Sequence, residues 1–417
     1  MTTATRALTI IAEIADREKL ADRLIDIEAD LDGNRWFRPS ALEHTHFTRF
    51  VILDDDGEHP DNALAPVLAW EVNYDGDEAA YLAHALGLSQ SLDRIFECCL
   101  DYPTESAAKL AWLRAHCHRA AAFYCAYPGV QHEEIHNDID VHAKLRELAD
   151  DPEVWLLQKR EIHQRFRDDL GATQLAITPV PDKSFFVARL LAVLAAFVIV
   201  WPLIVLVIVW WYPVLFVRER REGANPLDKP VHDNGLAEVE DKIRQNQLTH
   251  IVDIKPGRFR MFTLWLVLQV IGAMASKFYV NGHLGGITSI HLARWVIVRD
   301  RRPVPRAKRR DRLLFFSNYD GSWESYLGEF IDRASMGLTA IWSNTEGFPK
   351  TSNLIFAGAR DEERFKQWTR DHQRVTQVWW SGVPLSSVQN VRDDVWLRRR
   401  VQENLSDEEL QTWLRKV

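Results

Sequence analysis

The chain has 417 residues, enough for two or three domains with cores of their own. A net charge of −8 argues against general nucleic-acid binding, and 47% apolar with 26% charged residues is typical of globular proteins. The four cysteines form no Cys-x-x-Cys pair, which argues against a zinc ribbon or a thioredoxin-type site and favours a reducing compartment.

The first part of the chain alternates between strand-like and helix-like patterns. A β-rich run at the N-terminus is followed by apolar residues at helical spacing, and further strand patterns come after them. The expected elements are a strand at Ala7–Ile14, a helix at Asp16–Leu31, strands at Phe47–Leu53 and Pro66–Tyr74, a helix from Asp77 to Leu86, and a strand at Ala120–Tyr127. This βαββαβ order is that of a ferredoxin-like unit, for which we expect the strand order 4-1-3-2.

The same order recurs in the second part of the chain. The segments Leu68–Leu82 and Leu313–Leu327 share an Asn-Tyr-Asp-Gly turn at an offset of 245 residues, and the same offset relates Arg49 to Arg294. A constant offset indicates an internal duplication. The elements expected in the second copy are strands at Thr249–Ile254, Ser289–Val298, Leu313–Tyr319 and Thr376–Gly382, with helices at Arg258–Val280 and Glu324–Ala334.

A long apolar segment separates the two copies. Leu190–Val217 has 28 residues without a charge, more than the roughly 20 that span a bilayer. Because Trp201-Pro202 interrupts the run and proline breaks helices, we expect a membrane-embedded hairpin with both modules on one side; a single crossing is the alternative. The expected divisions are a first module at 1–150, a linker at 151–184, the hairpin at 185–217, a linker at 218–245 and a second module at 246–417.

Two further segments bear on the membrane. Met261–Ser276 is uncharged over 16 residues, which predicts a domain helix resting on lipid or, as the alternative, a second crossing. Arg299–Arg312 carries eight Arg or Lys residues against two Asp. These basic residues form either a solvated loop or a contact with anionic headgroups. Positive charge beside a bilayer favours the cytoplasmic face, so a monotopic membrane protein with its modules on that face is expected.

The repeated strand and turn carry polar residues suited to a structural or a catalytic role. Asp320 and its counterpart Asp75 follow a strand and precede a helix, where a carboxylate can cap free N–H groups. Arg294 lies on an apolar strand face, so it requires an ion-pair partner, such as Asp253 or Asp320, or a bound anion. His291 lies on the opposite face of that strand, as a structural histidine or as a ligand.

A separate motif resembles a zinc site. His132-Glu-Glu-Ile-His136 matches H-E-x-x-H, in which the histidines bind zinc and Glu133 activates water. His142 stands at the spacing of a third ligand, although Ile139 replaces the glycine that would let the chain turn back. The motif therefore supports a zinc hydrolase only as an alternative.

Two tandem βαββαβ modules over residues 5–150 and 246–417, with a repeated His-x-x-Arg strand and Asn-Tyr-Asp-Gly turn, resemble the dimeric α/β-barrel superfamily. Within it the chain is most similar to dye-decolourising peroxidases and their membrane-associated relatives. The resemblance implies a pseudo-dimeric α/β barrel with haem in the second module. It implies His291 and His372 as candidate axial ligands, and Arg294 with Asp320 as the peroxide-handling pair. Only the Asp-Gly of the peroxidases' Gly-x-x-Asp-Gly motif is present here.

The leading functional hypothesis is therefore a membrane-associated, peroxidase-like oxidoreductase that uses haem and acts on an apolar, lipid-derived small molecule. Its expected partner is the lipid bilayer, with no nucleic acid and no separate metal, and a homo-oligomer is left open. The alternatives are a non-catalytic lipid-binding or scaffold protein with the same fold and a zinc hydrolase that uses His132, Glu133 and His136.

Overall fold

The computed structural model describes residues 5–417 except 56, 58, 89–91, 174, 177–200, 202–204, 206–207, 224–235, 237–239, 242–243, 278–283 and 285. The described chain is α+β. Its strands are β1 (Thr5–Glu13), β2 (Thr45–Leu53), β3 (Val67–Asp75), β4 (Ala122–Cys125), β5 (Gln245–Asp253), β6 (Ile290–Val298), β7 (Arg312–Asp320), β8 (Thr351–Ser352), β9 (Phe356–Ala357) and β10 (Val378–Ser381).

In each copy one helix follows the first strand, and further helices follow the third strand and the last strand. The helices are α1 (Arg17–Ala29), α2 (Glu78–Gly87), α3 (Asp93–Phe96), α4 (Ser106–Ala115), α5 (His132–Ala149), α6 (Lys159–Gly171), α7 (208–221), α8 (Arg258–Lys277), α9 (Trp323–Trp342), α10 (Glu362–His372), α11 (Val388–Val401) and α12 (Asp407–Leu414). The predicted order of strands and helices is therefore present in each copy. Pro202, at which the break is expected, lies outside the described residues, as does 185–200.

Two four-stranded antiparallel sheets form the centre of the fold. Their strand orders are β1-β3-β2-β10 and β4-β6-β7-β5. The last strand of each copy thus lies in the sheet of the other copy, and the expected 4-1-3-2 order is wrong. In the described part of the chain the strands form separate sheets and no closed barrel.

A short contact explains where the predicted fourth strand goes. Residues 116–118 lie beside β1 and form a single β-bridge with it. In this bridge the His118 backbone N–H donates to the Thr9 carbonyl at 2.8 Å. The chain then crosses to β6, where the Ala121 N–H donates to the Trp295 carbonyl at 2.7 Å. The second copy repeats this path: the Arg374 N–H donates to the Thr249 carbonyl at 2.9 Å before β10 joins β2. The segment before each last strand thus contacts the sheet of its own copy, and the strand itself joins the sheet of the other copy, so neither copy forms its sheet alone.

Apolar residues pack on both sides of each sheet. One core lies between the first sheet and its helices, and another lies between the second sheet and α8 and α9. A smaller core joins the facing surfaces of the two sheets and consists of Ile11, Val51, Leu53, Ala69, Ile251, Val296, Leu314 and Phe316. The tail helices of the two copies pack together around the fully buried Trp413. The two copies therefore form one continuous structure.

Candidate functional site between the two sheets

Two buried arginines connect the facing sheets at equivalent positions. Arg49 on β2 donates to the backbone carbonyls of Leu248 and Ser317 in the opposite sheet, at 3.0 Å each. Arg294 on β6 donates across in the other direction to the carbonyls of Leu8, at 2.6 Å, and Val72, at 2.8 Å. Each guanidinium group thus binds the backbone of the other copy.

A single carboxylate lies between the two arginines. Glu71 on β3 pairs with Arg49 Nε at 2.7 Å and with Arg294 Nη2 at 2.6 Å, and all three side chains are buried. The expectation that Arg294 pairs with Asp253 or Asp320 is therefore wrong. Burial lowers the pKa of Arg294 to about 10 even though Glu71 opposes the shift, so the group stays charged near neutral pH. The carbonyl oxygens on both sheets stabilise the excess positive charge of this trio.

The histidine and aspartate of the duplicated motif form a pair in each copy. His46 Nε2 lies 2.9 Å from Asp75, and His291 Nε2 lies 2.9 Å from Asp320. Each aspartate also accepts the first backbone N–H of a later helix, from His132 of α5 in one copy and from Val388 of α11 in the other, at 2.7 Å each. Both aspartates thus cap a helix N-terminus. That helix follows the fourth strand, and the helix directly after the turn is capped by other residues, Asp77 and Ser322.

The surroundings of His291 do not fit an axial haem ligand. Its Nε2 is bound to Asp320, and its Nδ1 lies 3.2 Å from the Tyr127 hydroxyl, so both ring nitrogens are already engaged. Burial raises the pKa of Tyr127 well above its ordinary value, so the hydroxyl keeps its proton to donate. Of the predicted residues, the structure brings His291 and Asp320 together in a structural hydrogen-bonded pair.

His372 lies apart from that pair, on α10. Its Nδ1 lies 2.8 Å from the Trp368 carbonyl, and its ring centroid is 5.8 Å from that of His250. His250 and Trp368 line an apolar cavity of about 20 Å³, room for roughly one water molecule. A cofactor pocket needs on the order of several hundred Å³. The described residues around His291 and His372 therefore do not fit a haem.

The histidines of the H-E-x-x-H segment lie at the start of α5. His132 Nε2 and His136 Nε2 are 3.2 Å apart, while Glu133 pairs with His44 at 3.2 Å. His142 binds Asp394 on α11 at 2.5 Å instead of approaching the other two histidines. Within the described residues, the group with three potential ligand atoms close together is another one, His59, Asp253 and Glu346. The three-histidine zinc site is therefore not assembled.

An exposed apolar surface is formed by α7 and α8. The Trp211 indole on α7 donates to Thr263 at 2.8 Å and stacks on Phe259 of α8, with ring centroids 6.2 Å apart. Large side chains on the outer faces of these helices are exposed: Ile208, Val209, Trp210, Tyr212, Phe216 and Val217 on α7, and Phe262, Trp265, Val270 and Met274 on α8. Among the described helices, the stretch Arg258–Ala275 is long and apolar enough to cross a membrane, with a mean hydropathy of 1.3 and 33% of it buried.

Hydrogen bonds to the buried Glu219 and ion pairs of the partly exposed Glu222 attach α7 to the second copy. Glu219 accepts hydrogen bonds from the Thr351 hydroxyl at 3.0 Å and from the Leu354 N–H at 2.9 Å. Directly after the helix, Glu222 pairs with Lys255 at 2.7 Å and with Arg260 at 2.5 Å. The exposed apolar face is thus fixed in orientation by its charged end.

The basic hairpin between β6 and β7 is partly neutralised. Arg310 pairs with Asp253 at 2.6 Å and with Asp55 at 2.7 Å, and Arg302 pairs with Asp300 at 2.8 Å. The exposed basic side chains of the hairpin are Arg299, Arg301, Arg306, Lys308 and Arg309. Five of the eight basic side chains therefore remain at the surface, and one of these five, Arg299, pairs with Asp311 at 2.9 Å.

Two residues of the site were not identified from the sequence. Glu71 stands alone among apolar residues in the strand Leu68–Val72, a pattern that indicates a buried partner for a cation. Tyr127 carries no such signal, because a tyrosine at the end of a strand is ordinary.

Comparison of the chain with protein families, characterised proteins and solved structures finds no match.

Proposed function

We propose that the protein is a membrane-associated, non-catalytic module in which α7 and α8 rest on a lipid bilayer. The observation that carries this proposal is the apolar face of α8. Its exposed positions include Phe262, Trp265 and Val270, whereas α1, the same element of the first copy, exposes Glu18 and Asp22. A duplicated helix whose outer face has become apolar only beside a charge-free segment fits contact with lipid.

The composition at the border of the apolar surface supports a bilayer as its occupant. Trp210 and Tyr212 are exposed on α7, and tryptophan and tyrosine favour the membrane–water interface. The last turn of α7 carries Arg218, Arg220 and Arg221. Each can interact with anionic headgroups for about 1 kcal/mol. The hairpin at 185–217 and the cytoplasmic orientation extend this proposal and stay predictions.

The finer description of the fold belongs to the same proposal. The repeated element order and the exchanged last strands support two ferredoxin-like modules in tandem, although the described strands form no closed barrel. Residues 116–118 contact β1 and residues 122–125 pair with β6, so one segment joins both sheets. A rigid two-sheet body of this kind suits a scaffold held at a membrane.

Vesicle flotation of the full chain tests the proposal. We expect the protein to float with phosphatidylcholine vesicles and to float more completely when an anionic lipid is added. Protein that stays at the bottom of the gradient with both vesicle types contradicts the proposal. The absorption spectrum of the same sample tests the oxidoreductase hypothesis, because a haem protein absorbs strongly near 400 nm.

A further inference from the structure

The first turn of α5 carries a pair of histidines that the proposed function does not use. His132 is half-buried and His136 is exposed, and their Nε2 atoms face each other at 3.2 Å. Residues four apart on a helix lie on one face, so the two rings are presented together by the backbone. Glu134, which lies between them in the sequence, completes the capping box of the helix with Gln131.

The separation of the two nitrogens matches a metal-binding geometry. Zinc–imidazole bonds are about 2.0–2.1 Å long, which places two nitrogens of a tetrahedral site roughly 3.3 Å apart. The Nε2 atoms of His132 and His136 are 3.2 Å apart in a hydrogen bond, so a metal ion would replace the bridging proton with little change in their separation. We propose that His132 and His136 form a two-histidine site for a divalent transition metal ion such as Zn²⁺ or Ni²⁺, with solvent in the remaining positions.

The protein backbone packs closely around the imidazole of His132. Beside it lies Gly382, where a Cβ atom would stand only 2.3 Å from His132 Nε2. A side chain at position 382 would therefore clash with the imidazole of His132.

The site differs from a hydrolytic zinc centre. Glu133 is paired with His44 and is 69% exposed at its side chain, and His142 is bound to Asp394. The position of a catalytic base and that of a third histidine ligand are therefore both taken by other contacts. A metal ion bound here would stabilise the first turn of α5, in which the His132 backbone N–H donates to the Asp75 carboxylate. The inferred role is stabilisation of the junction between α5 and the first sheet.

Calorimetric titration of the full chain with Zn²⁺, without an affinity tag, tests the site. We expect one ion per chain and at least about tenfold weaker binding after His136→Ala. His136 is exposed, so the variant should fold, which circular dichroism verifies. Gly382→Ala should weaken binding similarly, because its methyl group fills the space beside Nε2.

The matched control is His59→Ala, which removes a ligand from the other potential cluster with Asp253 and Glu346. Unchanged affinity in this variant supports the two-histidine site. Loss of affinity with His59→Ala but not with His136→Ala overturns it, and so does the absence of saturable binding to the unsubstituted chain.

Discussion

Arg49 and Arg294 occupy equivalent places in the two copies and bind one and the same carboxylate, that of Glu71. The residue equivalent to Glu71 in the second copy is Phe316, whose ring lies 5.5 Å from the Arg49 guanidinium carbon. Both copies therefore contribute a buried arginine, but only the first copy contributes a carboxylate. The carboxylate of Glu71 pairs with both guanidinium groups, and backbone carbonyls of both sheets, together with side-chain oxygens such as that of Asn318, supply the remaining acceptors.

The first prediction concerns this trio. Replacing Arg294 with alanine leaves Glu71 buried with one partner fewer and removes the donor from the carbonyls of Leu8 and Val72. Breaking a buried ion pair in this way costs about 3–5 kcal/mol. We expect Arg294→Ala to lower the free energy of unfolding by that amount in urea titration, and Arg49→Ala to do the same.

A surface pair provides the control for this experiment. Arg17 and Asp54 are 2.6 Å apart with side chains 52% and 48% exposed, so Arg17→Ala should change stability by less than about 1 kcal/mol. A similarly small loss in the Arg294 and Arg49 variants would show that the buried network does not stabilise the fold. Loss of an activity without loss of stability would restore the catalytic hypothesis for Arg294.

The sequence is sufficient to predict the order of strands and helices, because strand and helix periodicities and the offset of 245 residues are local signals. It does not predict the exchange of β4 and β10, because both strands are short and their pairing depends on which edge they meet. The burial of Arg294 was foreseeable from its apolar strand. Its partner was not, because Glu71 comes from the other copy, 223 residues earlier in the chain.

The second prediction uses two asparagines at equivalent positions. The Asn318 side-chain oxygen accepts hydrogen bonds from Arg49 at 2.6 Å and from the Trp379 indole at 2.9 Å. Asn73 is equally buried, yet neither of its side-chain polar atoms has a hydrogen-bond partner among the described residues, and Phe123 stands where the second copy has Trp379. An unsatisfied buried amide costs about 1–3 kcal/mol.

We therefore expect Asn73→Leu to raise the free energy of unfolding by about 1 kcal/mol. Asn318→Leu should lower it by about 2 kcal/mol or more, because two buried donors lose their acceptor. Urea titration of both variants measures the difference. Effects of equal sign would mean that the two asparagines have the same role in spite of their different contacts.

The third prediction tests the apolar surface of α7 and α8. Val209 is 67% exposed and Trp265 is 47% exposed, so a glutamate at either position should fold normally but face the lipid. A charge at this surface should weaken vesicle binding at least about tenfold, which corresponds to roughly 1.4 kcal/mol. Ile25→Glu on α1 is the control, because Ile25 is 63% exposed on the equivalent helix of the first copy. Equal loss of binding in all three variants would contradict a specific lipid-facing surface.

The last prediction concerns His250, which packs between aromatic rings beside the small apolar cavity. Neither ring nitrogen has a hydrogen-bond partner among the residues that the structure describes, and the ring centroids of Trp342 and Trp368 lie 4.8 and 4.7 Å away. Burial, with the positive potential of His372 and Arg374, holds the pKa of His250 well below its ordinary value of 6.5. The equivalent residue in the first copy is Ile10, also buried.

The sign of the pH dependence follows from this lowered pKa. Below about pH 6.5, His250 binds a proton in the unfolded chain but not in the folded chain. The free energy of unfolding therefore decreases by about 1.4 kcal/mol per pH unit at this group as the pH falls. Above that pH its contribution is constant. We expect His250→Ile to raise stability by about 1 kcal/mol at pH 7.5, because two unsatisfied nitrogens leave the core.

The gain from His250→Ile should then increase as the pH is lowered from 6.5 to 5, which urea titrations at several pH values measure. The other histidines with lowered pKa values, His118, His132 and His163, are the same in both proteins, so their contribution cancels in the difference. A difference that does not change with pH would show that His250 binds a proton in the folded state. It would also mean that water reaches the cavity, because a charged imidazole between two tryptophans requires a polar partner.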